Sequence, residues 1–93
     1  DNGGIGAAWV YTSLQQQLQT LLAAVTGVGP GQSLADKVSQ IQAYVATNDT
    51  ADACGTLTAF INEVNAQTGK TITAAQAASF IGQATKVEST LGC

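Results

Sequence analysis

The chain has 93 residues, only 10% of them charged, with three lysines, no arginine, no histidine, six acidic residues and a formal net charge of -3. That balance excludes binding to a phosphate backbone, which needs clustered cations to displace its counterions, and it gives no basis for anchoring on anionic lipid. With two cysteines and no imidazole, these residues supply at most half of a tetrahedral zinc shell, so the expected pairing is one disulfide, Cys54 with Cys93, and no metal centre is expected.

A structural disulfide belongs to an oxidising compartment, and together with the sparse charge it predicts a secreted, extracellular protein, free or attached to a cell surface. The opening Asp1-Asn2-Gly3-Gly4 has neither the basic segment nor the apolar run of a signal peptide, as expected of a mature or excised chain. No apolar stretch approaches the ~18 residues that span a bilayer, so no membrane span is predicted. Alanine supplies much of the 45% apolar fraction, and large side chains are few: two Phe, two Tyr, one Trp and no Met. One small domain with a thin core follows.

Residues 1–6 are Gly-rich and are expected to form a flexible tail, leaving 7–93 as a single helical domain. From Ala7 to Thr26, Val10, Leu14, Leu18, Leu21 and Val25 recur at spacings of three and four, with Leu22 beside them, the pattern of an amphipathic helix. Its polar face carries Gln15, Gln16, Gln17 and Gln19, so it is uncharged. The segment Gly27-Val28-Gly29-Pro30-Gly31 ends it, with a glycine for a left-handed cap and a proline that cannot continue the turn.

Ser33 with Asp36 reads as a short-armed capping box opening a second helix to about Ala46, with Leu34, Val38, Ile41 and Val45 on one face. Thr47-Asn48-Asp49-Thr50 is a tight connection, and either Asp49 or Thr50 caps a third helix. Its stripe is Ala53, Leu57, Phe60, Ile61 and Val64, and Thr68-Gly69-Lys70 closes it. Thr73 with Gln76 is another capping box, opening a fourth helix with Ala77, Phe80, Ile81, Ala84, Val87 and Leu91 on one face and Gly92 as its stop. Gly55 and Gly82, inside helices three and four, cost about 1 kcal/mol each relative to Ala, which predicts a close helix crossing at each.

No segment alternates long enough to make a strand, so the expected fold is all-α, a small antiparallel bundle of four helices joined by short connections. That topology sets the start of helix three beside the end of helix four, which is where Cys54 and Cys93 fall.

The acidic residues are scattered, and without histidine no nucleophile has an evident base, so no catalytic residue and no cofactor is expected. Asp36, Asp49 and Asp52 suit helix N-termini. Asn48-Asp49-Thr50 with Asp52 lacks the spacing and terminal bidentate Glu of a calcium loop, and Asn48-Asp49-Thr50 also matches a glycosylation acceptor. Trp9, Val10 and Tyr11, near the loose N-terminus, are the candidate contact residues, either closing the bundle or meeting a sugar, a partner helix or another copy.

The run Ser33-Leu34-Ala35-Asp36-Lys37-Val38, the segment from Ala53 to Val64 (Ala53-Cys54-Gly55-Thr56-Leu57-Thr58-Ala59-Phe60-Ile61-Asn62-Glu63-Val64), Gly69-Lys70-Thr71-Ile72-Thr73, and Gln76-Ala77 before Leu91-Gly92-Cys93 form a pattern over about two-thirds of the chain. It resembles the FIMAH-type helical domains found near the C-termini of secreted bacterial proteins, notably actinobacterial and other extracellular hydrolases. The most specific parts are the Leu-x-Ala-Phe-Ile-x-x-Val run and the Gly-Lys-x-Ile-Thr cap. Asn48-Asp49 stands where that pattern has a glycine. The resemblance implies a non-catalytic appendage and transfers no ligand residue.

The expected function is therefore an extracellular accessory or structural module for attachment, spacing or protein contact, with a protein or cell-surface partner. The alternatives are a self-assembling surface or filament subunit packing through its N-terminal helix as a homo-oligomer, and a carrier of a small sugar or lipid held between helices.

Overall fold

In the computed structural model the backbone is described for residues 2–28 and 31–93, and side chains for 14–28 and 31–93. The order is α1 (Asn2–Val25), α2 (Ser33–Ala46), α3 (Thr50–Gln67) and α4 (Ala74–Leu91), with no strand among the described residues. The helical backbone of α1 already begins at Asn2, five residues before the expected start at Ala7 and within the stretch expected as a tail, while the contact candidates Trp9, Val10 and Tyr11 lie outside the residues with described side chains.

Each helix packs on its two neighbours, α1 on α2, α2 on α3, α3 on α4 and α4 back on α1. The short connections force successive helices antiparallel. Ser33 at the start of α2 accordingly meets Glu63 near the end of α3, and Thr90 near the end of α4 meets Gln17 of α1.

The apolar stripes turn inward as their spacing requires. Leu14, Leu18, Leu21 and Val25 of α1, Leu34, Val38, Ile41 and Val45 of α2, Ala53, Leu57, Phe60 and Val64 of α3, and Ala77, Phe80, Ala84 and Val87 of α4 form one core. Leu22, Ile61, Ile81 and Leu91 flank it, half-buried. No polar or charged side chain is buried among the described residues. Among the described residues Ile72 is the one core member supplied by a connection: the turn after α3 folds back so that Gly69 N–H donates to the Ile72 carbonyl at 2.8 Å, and the Ile72 side chain is buried at the end of the bundle.

The helix ends follow local chemistry in three cases and depart from it in one. Thr73 and Gln76 make the full reciprocal capping box of α4, and the Asp49 carboxylate accepts from Asp52 N–H to cap α3. Gly92, at φ 85°, gives α4 its left-handed stop. At α2 the expected Ser33–Asp36 box does not form: the N-cap is Gln32, with no side-chain cap bond. The Ser33 hydroxyl is drawn instead to a carboxylate on α3, a charge-assisted bond stronger than a neutral cap.

Cys54 and Cys93 are joined, with an S–S distance of 1.99 Å and a Cα–Cα distance of 5.7 Å across 39 residues of sequence. Cys54 sits just past the first turn of α3, and Cys93 follows the Gly92 stop. The staple thus ties the α3–α4 hairpin at its open end.

Candidate functional site

The expectation of a close helix crossing at Gly55 and Gly82 is overturned. Both face solvent, and a Cβ built on either would meet nothing within 4 Å. Gly55 lies two residues from both Ala53 and Leu57, and Gly82 two from both Phe80 and Ala84, which on a helix of 3.6 residues per turn sets them opposite the buried stripe. Packing therefore does not account for their cost.

Among the described residues, surface grooves run between neighbouring helices, two of them well formed. The first, about 580 Å³, lies between α1 and α4 and is walled by Gln16, Gln17, Gln19, Thr20, Gln83 and Lys86. Its lining is almost all amide and hydroxyl. The Gln83 Oε1 atom is buried without a hydrogen-bond partner, while its Nε2 donates to Ser79 Oγ at 3.1 Å.

The second groove, about 530 Å³, lies between α2 and α3. Tyr44, Gln40, Asp36 and Ser33 recur at spacings of three and four on α2, so they share its wall, while Asp52, Gly55, Thr56 and Ala59 make the α3 wall. Tyr44 is half-buried against the core edge and carries the one aromatic ring among the groove's described residues. Because Gly55 has no side chain, the α3 backbone is open at mid-groove.

Charge in this groove is uneven. Lys37 Nζ is paired with Glu63 Oε1 and bonded to Ser33 Oγ at 3.2 Å, so the one cation of the lining is already engaged. Burial alone would raise the Glu63 carboxyl, but hydrogen bonds from Lys37 and Ser33 and the lysine's charge outweigh it and hold the group below its ordinary value. Asp36 and Asp52 have no cationic partner among the described residues. The Asp49 carboxyl beside Asp52, through a hydrogen bond and then like charge, with slight desolvation, raises the Asp52 carboxyl.

No family model, curated protein or solved structure matches the chain.

Among the described residues no three His, Cys, Asp or Glu side chains are grouped to hold a metal ion, and no helix is long and apolar enough to cross a membrane. Asn48 takes the left-handed conformation, φ 61°, that the turn before α3 demands, and Asp49 serves as the cap. The space between the helices is filled by apolar side chains, so the surface grooves are where a ligand would meet polar groups. Sequence reasoning missed both grooves, since each depends on which two helices lie side by side.

Proposed function

We propose that the chain is a non-catalytic accessory module working outside the cell, holding the protein that carries it to a partner or surface. The observation that carries this reading is the division of labour in the fold. Every buried residue among those described is apolar, while the polar side chains line open grooves on the outside. A reaction centre needs groups preorganised in a water-excluded site; contact with a partner needs only an outward surface on a rigid frame. The disulfide supports the extracellular setting, and the resemblance to FIMAH-type appendages of secreted bacterial proteins points the same way.

The test is retention. A fluorescent fusion of the full chain, added to the cells that produce it and to their extracellular material, should survive washing where the fluorescent protein alone does not. A fusion that washes off both as readily as the control overturns the attachment reading.

A further inference from the structure

We infer that the α2–α3 groove is a binding site for a neutral, hydroxyl-rich glycan chain, seated across Gly55 and against Tyr44. This rests on the attachment reading and names what the attachment surface holds.

Gly55 is the starting point. A glycine in a helix interior costs about 1 kcal/mol relative to alanine, and packing gives no compensation, because a Cβ there would meet nothing within 4 Å. Other reasons for such a glycine are a turn, a positive φ or close approach to the backbone by a ligand. Gly55 is mid-helix with no positive φ, as is Gly82, but Gly55 alone of the two lines one of these grooves, where a ligand could approach its backbone. It also opens onto the groove that carries an aromatic ring.

The walls specify the chemistry. Tyr44 offers an aromatic surface with a polar tip, suited to a ring that is apolar on its faces and hydroxylated at its edge. Asp36 and Asp52 supply carboxylate oxygens without cationic partners, and hydrogen bonds from hydroxyl groups to such oxygens are charge-assisted. Gln40 can both donate and accept, as vicinal hydroxyls require. Lys37 is neutralised by Glu63, so the unpaired charge of the groove is negative and disfavours an anionic polymer. From Ser33 to Tyr44 the groove is about 16 Å long at the helical rise of 1.5 Å per residue, long enough for several rings of a chain.

Among the described residues the α1–α4 groove has no aromatic lining, and Gly82 is not part of its wall. Gly82 therefore provides a matched control. Leucine at either glycine points into open space, so both variants should fold, and their melting temperatures check it.

The experiment titrates the isotopically labelled full chain with cellohexaose, mannohexaose and chitohexaose, followed by amide NMR shifts. At least one of the three should give saturable shifts confined to residues 33–44 and 52–59. Gly55→Leu should weaken that binding about tenfold or more, and Gly82→Leu should leave it unchanged. No saturable shift with any of the three, or equal binding by a folded Gly55→Leu variant, overturns the proposal. So does a hexalysine peptide that shifts the same amides when no sugar does, which would assign the groove to cationic peptide. If the wild-type and Gly55→Leu fusions are retained equally on cells, the attachment reading stands and the groove assignment falls.

Discussion

The Ser33 hydroxyl on α2 donates to Glu63 Oε1 on α3 at 2.9 Å while accepting from Lys37 Nζ at 3.2 Å, one turn along its own helix. The three side chains form a polar clamp at the edge of an otherwise apolar interface, and each is held partly out of water. Glu63→Gln removes the ion pair and weakens both bonds. It should cost about 1 kcal/mol, between the values for exposed pairs and for charged hydrogen bonds. For a chain of this size that is a fall in Tm of roughly 4–8 °C. Ser33→Ala should cost less, since Lys37 still pairs with Glu63; calorimetry on the two variants gives the order.

The same clamp sets an acid limit on stability. Glu63 titrates below its ordinary value of 4.5 in the folded chain, so its contribution is complete above that value and is lost as pH falls through the folded pKa. Asp52 runs the other way: its carboxyl is raised above 3.8 by Asp49, so its contribution is present below 3.8 and is lost as pH rises through the folded pKa. Melting curves from pH 6 to pH 2 should show Glu63→Gln with a flatter acid decline than the parent. Asp52→Asn should gain most relative to the parent at the upper end of that range.

Reduction of Cys54–Cys93 releases a loop of 39 residues. Closing a loop of that size is worth about 4 kcal/mol in the chain-entropy model. A core made largely of Val, Leu and Ala leaves little reserve against that loss. The double variant Cys54→Ser, Cys93→Ser should melt at least 15 °C below the parent by the size scaling of Tm, and reductant should bring the parent to the same value. An unchanged melt on reduction would show that packing alone holds the α3–α4 hairpin closed.

Most of the fold was legible because its core repeats. Leu14, Leu18, Leu21 and Val25, like the stripes of α2, α3 and α4, recur at a period that leaves them one direction to face. Ile72 escaped that reading, being a single apolar residue in a connection with no periodic neighbour. Ser33 misled it, because a capping cue is local and its competitor Glu63 is 30 residues away. For Gly55 and Gly82 the signal was present and misused: two residues from the stripe on either side is the outside of a helix. The grooves were beyond a linear reading, because the walls at Tyr44 and Gly55 meet only once α2 lies beside α3.

Gly82→Ala and Gly55→Ala place a methyl group in open space on a helix that already has the right backbone. Each should stabilise by about 0.5–1 kcal/mol, chiefly by narrowing the unfolded ensemble. The sites are on different helices and a Cβ at either touches no other side chain within 4 Å, so the two effects should add. The double variant should therefore gain roughly 4–16 °C in Tm. Either alanine that lowers Tm would restore the close-packing account for that glycine.

Ile72 carries the last prediction, because it separates the connection from the helices. Its side chain is 1% exposed, and its backbone is held on both sides: its N–H donates to the Gln67 carbonyl at 3.1 Å and its carbonyl accepts from Gly69. Ile72→Ala removes three methyl or methylene carbons from a site walled by helix ends, and such truncations cost about 2–5 kcal/mol in packed cores. If the turn merely links α3 to α4, the site collapses around alanine and the loss falls near the bottom of that range. If the turn acts as a plug, the loss approaches that of Phe60→Ala, the largest fully buried side chain, for which about 3–5 kcal/mol is expected. Denaturant melts of both variants, compared at equal m-values, decide between the two, and the buried, doubly bonded position of Ile72 favours the plug.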